Sequence, residues 1–142
     1  MEIEIKLAKK NAKLPSYGRR GDAALDLFVC EATSLSPSEI KMVSTGVFLA
    51  IPDGYCGLVL PRSGLASKHA ITLINSPGLL DSNYRGEITI PLINHGNEKY
   101  EIEEGDRVAQ LLIIPCPNID FKEVKELSSS NRGRSGFGSS GR

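Results

Sequence analysis

Residues 73–88 read LINSPGLLDSNYRGEI and bring a carboxylate, a phenol and a guanidinium close together, at Asp81, Tyr84 and Arg85. Turn formers crowd the same stretch: Asn75, Ser76, Pro77, Gly78, Ser82, Asn83 and Gly86. Side chains of that kind, held on a loop by a rigid scaffold, are where function tends to sit. A second group is Arg62 followed by Ser63 and Gly64. A cation beside the free N–H groups of a helix start makes an anion site. A third group closes the chain. Residues 128–142 hold six Ser, four Gly and three Arg, no acid, and a single aromatic, Phe137. Glycine-rich backbone, hydroxyls and arginines are what a polyphosphate binds, and one phenylalanine among them can stack on a base. Asp26 stands inside an apolar run, AALDLFVC, where a carboxylate must be paired, hydrogen-bonded or turned to an aqueous site. Structural pairing is the expectation from residue type alone.

The elements that must position these groups are short strands. ITLI precedes the central stretch and ITIPLI follows it, so the pattern predicts a β-hairpin with an elaborate tip. A plain hairpin needs only two to five loop residues, and this tip is longer. Residues 2–7 alternate charged and apolar and predict a half-buried strand. Residues 11–22 read as a loop, 23–30 as a strand and 35–39 as a turn. Residues 40–51 predict a strand with a bulge at Gly46. A Pro-Asp-Gly turn leads to a strand at 55–60. Residues 61–69 predict one short helix, with Ser63 as N-cap. Strands follow at 100–103 and 107–114, the latter carrying Gln110, and residues 121–127 predict an edge strand. The pattern is all-β, a jelly-roll-like sandwich or barrel with one short helix. Residues 1–127 form the β domain. Residues 128–142 are a flexible arm, able to reach roughly 50 Å at about 3.3 Å per residue and so to cross to another subunit.

The totals exclude several classes. At 142 residues the chain is one domain, and 40% apolar with 24% charged content is ordinary for a soluble globule. A formal net charge of zero gives no support for a nucleic-acid or anionic-membrane partner. No apolar run approaches a membrane span, and the first ten residues lack a signal-peptide core. Cys30, Cys56 and Cys116 are odd in number and widely spaced, which argues for reduced thiols in a cytoplasmic protein. His69 and His95 have no metal-ligand spacing.

Five stretches, in order, resemble the trimeric deoxyuridine triphosphatase (dUTPase) family: 23–27 (AALDL), 61–66 (PRSGLA), 78–87 (GLLDSNYRGE), 105–111 (GDRVAQL) and 132–141 (RGRSGFGSSG). The resemblance covers nearly the whole chain. It implies hydrolysis of dUTP to dUMP and pyrophosphate with Mg²⁺, keeping uracil out of DNA and supplying dUMP for thymidylate synthesis. It also implies a homotrimer with three active sites built from different subunits. In those terms Asp81 orients and activates the water that attacks the α-phosphorus. Arg62, Ser63, Gly64 and Gln110 hold the phosphates. Asn75, with backbone near Gly78 and Leu80, pairs with the uracil edge, and Tyr84 leaves no room for a 2′-hydroxyl. Arg132, Gly138, Ser139 and Ser140 hold the γ end as the arm closes, and Phe137 covers the base. Asp26 touches the metal through water, while Mg²⁺ is held mainly by phosphate oxygens. Arg85, Glu87, Asp106 and Arg107 are structural in this reading. Ala24, Ser135 and Ser140 depart from the family's usual Gly, Gly and Thr without removing a functional group. Two rivals share the scaffold: a dCTP deaminase, and a non-catalytic protein that senses dUTP.

Overall fold

A computed structural model describes residues 1–134 of the chain. Its elements run β1 Glu4–Leu7, β2 Leu25–Phe28, β3 Thr33–Leu35, β4 Ile40–Ala50, β5 Tyr55–Pro61, α1 Ser63–His69, β6 Ile71–Leu73, β7 Gly78–Leu80, β8 Glu87–Asn94, β9 Tyr100–Ile102 and β10 Arg107–Pro115. They form two four-stranded sheets, ordered β1-β4-β8-β6 and β2-β10-β5-β7, and a small pair β3-β9. All the pairings between these strands are antiparallel. Both large sheets are open, so the architecture is a jelly-roll-like sandwich with one short helix among the described residues.

Period-two alternation explains the packing. Along β8, Ile88, Ile90 and Leu92 are fully buried while Thr89 faces out. From the other sheet come Leu27, Val59, Ala109 and Leu111. Burying each large aliphatic side chain contributes about 1.5–3 kcal/mol. Two buried polar groups are fully matched. Asn94 donates to the carbonyls of Leu35 and Glu98 at 3.1 and 2.8 Å and accepts from Gly96 N–H. Thr45 donates to Ile88 C=O at 2.7 Å.

The bulge forms where the sequence placed it. The β4–β8 register shifts between Ser44 and Phe48, with Gly46 at φ +68°. A β-carbon on Gly46 would stand 2.7 Å from that of Ala12, so both conformation and space demand glycine.

Several expectations need correction. β1 exists, but all four of its residues are exposed, including Ile5 and Leu7; within one chain no layer covers them. Residues 35–39 are not wholly a turn, because Leu35 ends β3 and pairs with Tyr100. Ser63 does not cap α1: the N-cap is Arg62, extended and without a side-chain cap bond, and Ser63 is already helical. Residues 121–127 form no strand; they are exposed and lack ladder partners. The hairpin itself is present, since β6 pairs with β8, Leu73 opposite Leu92. Its tip contains an unforeseen strand, β7, that leaves this sheet and pairs with β5 in the other. Among the described residues no helix is long and apolar enough to cross a membrane.

Candidate functional site

The candidate residues gather at two places. The first is a cavity of about 240 Å³ under the hairpin tip. Asn75, Gly78, Leu80, Asp81 and Tyr84 line it, with Val59 of β5 and Met42, Glu87, Thr89 and Pro91 of β4 and β8. Its shape is set by backbone. β7 is locked to β5 with Gly78 opposite Val59 and Leu80 opposite Gly57. A β-carbon on Gly78 would meet Val59 Cβ at 3.3 Å and Asn75 Nδ2 at 3.4 Å, so the absent side chain keeps the slot open. Tyr84 N–H donates to Asp81 C=O at 3.1 Å, closing the turn at the tip. The Tyr84 hydroxyl donates to Glu87 C=O at 3.0 Å and fixes the ring as a wall. Gly86 gives that ring its room: a side chain there would run into the phenol. Arg85 turns away and donates to the carbonyls of Ser82 and Tyr84 at 2.6 and 2.8 Å, bracing the turn. The Asp81 carboxylate has no hydrogen-bond or ion-pair partner among the described residues.

Glu87 anchors the rear of this cavity. Its carboxylate accepts from Gly46 N–H at 2.8 Å and from the Ser44 hydroxyl. Burial pushes its pKa up, but the Ser44 and Gly46 hydrogen bonds and the Lys9 charge outweigh that, so the carboxyl is held below its ordinary value. The tip of one hairpin and the bulge of a neighbouring strand are thereby tied through one side chain.

The second place is an open cleft of about 610 Å³. Arg62, Ser63, Gly64, Asp26 and Gln110 line it, together with Gly18, Arg19, Asp22 and Arg107. The ladder puts Asp26 of β2 and Leu60 of β5 on either side of Gln110 of β10, so the three project from one face. Asp26 bridges two guanidiniums, Arg62 Nε at 3.4 Å and Arg107 Nη1 at 3.1 Å. Arg62 Nη1 also donates to Arg107 C=O at 2.8 Å. Asp26 is 13% exposed against 48% for Arg107, so the carboxylate is the sheltered pivot and the arginine its solvent-facing partner. The structural pairing expected for Asp26 is therefore present. Such a cleft, cations held apart by a carboxylate beside hydroxyl and amide groups, can receive a polyanion.

The two places share no lining residue. Val59 lines one and Leu60 the other, and successive strand residues point to opposite faces of β5. Arg132 lies in the exposed turn at 131–134 and lines neither. Phe137, Gly138, Ser139 and Ser140 lie outside the described residues. Sequence reasoning gave Arg107 and Glu87 only structural parts and overlooked Arg19 and Asp22, which also line the cleft. Arg107 meets Asp26 across 81 positions of chain, a separation that no local pattern signals.

A family model described as dUTPase matches residues 10–141. The deoxyuridine 5′-triphosphate nucleotidohydrolase of Clostridium tetani is 44% identical over 140 residues, covering 99% of this chain and 97% of the relative. That of Clostridium kluyveri is 47% identical over 141 residues, covering 99% of each. Among solved structures, the dUTPase of Staphylococcus bacteriophage 80alpha with dUPNHPP superposes with a TM-score of 0.92 at 33% identity, over 99% of each chain.

Proposed function

The chain belongs to the dUTPase family, and we propose that it divides one reaction between two chains, the cavity of one subunit facing the cleft of another. The reaction is hydrolysis of dUTP to dUMP and pyrophosphate. The observation that carries the division is the placement of base-reading and phosphate-binding candidates on opposite faces of β5, with no residue in common.

In the cavity, Asn75 and the backbone of Gly78 and Leu80 read the uracil edge. Tyr84, held by Glu87 C=O, stands under the sugar. Asp81, with no side-chain partner to hold it, orients a water and takes its proton as that water attacks the α-phosphorus. In the cleft, Arg62, Ser63, Gly64 and Gln110 hold the phosphates, and Asp26 keeps Arg62 aimed. Residues 128–142 act as an arm over the assembled site, Arg132, Ser139 and Ser140 toward the γ-phosphate and Phe137 over the base. Orientation and charge neutralisation are what phosphoryl transfer mainly requires.

The described residues hold no cluster of three or more His, Cys, Asp or Glu side chains suited to a metal. That donor set fits Mg²⁺ carried on the substrate rather than caged by protein, since Mg²⁺ keeps waters and phosphate oxygens around it. Asp26, with Asp22 nearby in the cleft, would hold it through water, and the ion would neutralise phosphate charge.

A homotrimer fits the surface of the single chain. Leu79 is 61% exposed and Met42 60%, and β1 presents Ile5 and Leu7 with nothing over them. These are the apolar side chains that a neighbouring subunit would cover.

Mixing tests the shared site. Asp81→Asn and Arg62→Ala subunits, each inactive alone, are unfolded together and refolded. Sites built between chains would recover about a quarter of wild-type activity, because a random interface has both intact halves with that probability. Activity no higher than that of either variant alone would return the whole site to one chain. Removal of residues 128–142 should leave a trimer with little turnover; full activity in the shortened protein would strip the arm of its role.

A further inference from the structure

Two of the three cysteines meet behind Asp81, in a cavity the reaction above does not use. Cys56 is buried on β5, and Cys116 is exposed just past the end of β10. The β5–β10 ladder sets Cys56 opposite Ile114 and Tyr55 opposite Pro115. It continues one residue further, Cys116 N–H donating to Gly54 C=O at 2.8 Å. Cys56 and Cys116 are therefore diagonal neighbours on one face of the pair. On the other side of β5, Gly57 stands opposite Leu80 of β7, and one more step of that register brings Asp81 beside Cys56. Cys56 thus lies between Cys116 and Asp81. All three line a cavity of about 430 Å³ with Gly54, Ser82 and Asn83. Cys30 is elsewhere, its sulfur engaged by the Ser44 carbonyl and hydroxyl.

Burial pushes the Cys56 thiol up, and the Cys116 sulfur and the Asp81 charge add to that. A buried, protonated thiol next to an exposed one divides the labour of exchange: the exposed sulfur attacks and the buried one resolves.

We propose that Cys56 and Cys116 form a thiol–disulfide exchange site for small-molecule disulfides, and that its closed form slows dUTP hydrolysis by shifting the turn that carries Asp81. The Cys116 thiolate attacks one sulfur of the small disulfide, forming a mixed disulfide and releasing one thiol. Cys56 then attacks the Cys116 sulfur, its thiol proton passing to the departing thiolate, which forms the internal bond and releases the second thiol. The protein loses two protons and two electrons, and the small disulfide takes up both to become two thiols. Diagonal strand neighbours have Cα atoms about 7–8 Å apart, whereas bridged cysteines span about 4.4–6.8 Å. Closing the bond therefore draws the end of β10 against β5 at Cys56, the strand on which Leu80 and Asp81 are set. The effect on turnover rests on the role proposed for Asp81; the exchange chemistry does not.

The test uses the reduced full-length protein incubated with oxidised glutathione, with excess reagent then removed. The expected product is lighter by two hydrogens, gives one peptide pair joined through Cys56 and Cys116, and turns over dUTP several-fold more slowly. Dithiothreitol restores the rate. Cys116→Ser and, separately, Cys56→Ser keep the reduced rate and lose the response. Glutathione that stays attached to Cys116, or no reaction at all, overturns the site. A joined peptide pair with unchanged turnover overturns the control of catalysis. If Asp81→Asn itself keeps turnover, the fault lies with the reading of Asp81, and the mass of the oxidised protein still decides the exchange chemistry.

Discussion

The cavity under the hairpin tip holds about 240 Å³ and is walled by strand backbone, apolar side chains, one fixed phenol and the polar side chains of Asn75, Asp81, Glu87 and Thr89. The cleft around Asp26 opens to about 610 Å³ and is walled by three arginines, at 19, 62 and 107, and two aspartates, at 22 and 26. In the reaction proposed above, one region selects by shape, and its selectivity depends on positions that a methyl group would disturb. The other gathers charge and tolerates small displacements, because Coulomb attraction falls off slowly with distance. A uracil ring differs from its competitors by a methyl or by a donor replacing an acceptor, whereas every nucleoside triphosphate brings the same phosphates. The rigid half is thus the half that must discriminate.

That contrast breaks most visibly at the reacting water. Asp81→Asn should lower kcat by about 10²–10⁴-fold, the range for a positioned general base, with dUMP inhibition preserved. Arg62→Ala should cost about 10²–10³-fold and weaken pyrophosphate far more than dUMP as an inhibitor. Parallel losses of dUMP and pyrophosphate binding in either variant would erase the division between cavity and cleft.

A smaller test narrows the slot itself. Gly78→Ala adds a carbon 3.3 Å from Val59 Cβ and 3.4 Å from Asn75 Nδ2. Overpacking of that kind costs about 1–3 kcal/mol. The expected result is a higher KM for dUTP and a higher inhibition constant for dUMP, by similar factors, with pyrophosphate binding unmoved. An unchanged KM would mean that the base does not enter here.

The smallest effect is on stability. Glu87 is held below its ordinary pKa in the fold, so it binds fewer protons folded than unfolded. Its contribution is present above the unfolded-state pKa and is lost as pH falls through the folded-state value. Glu87→Gln should therefore destabilise at neutral pH by about 1.5–3 kcal/mol, the worth of hydrogen bonds to a charged group. The gap from wild type should close in acid. A constant gap from neutral to acid in denaturant melts would show that packing, not charge, explains the loss.

The sequence revealed most where a short-range rule operated. An apolar run marked β8 and a turn marked the start of β5, while Gly46 announced its bulge because the break in register and the positive φ fall on one residue. β7 escaped notice because three residues, Gly-Leu-Leu, sit among turn formers and gain strand form only from β5. Residues 121–127 misled for the converse reason: they mix charged and apolar side chains as an edge strand would, yet find no ladder in one chain. That residues 73–88 and 62–64 carried an unusual concentration of chemical groups was legible in the sequence. Their separation into two regions was not, because it depends on which face of β5 each neighbour meets. Nor was the Arg62–Asp26–Arg107 arrangement, which joins the N-cap of α1, β2 and the start of β10, distant in sequence.

The tip of the central hairpin begins in one sheet and is fastened to the other through β7. An ordinary loop frays on its own, and its amides exchange hydrogen with solvent without disturbing the rest of the molecule. Here β7 is laddered to β5 at the edge of one sheet, while β6 just before it is laddered to β8 of the other, so the tip is clamped from both sheets. The β7 amides that the ladder engages should therefore exchange more slowly than those of an ordinary loop. Fidelity of base choice then becomes a thermal property. On warming, discrimination should hold until the sandwich melts and fail together with it, with no interval in which the enzyme still works but chooses badly.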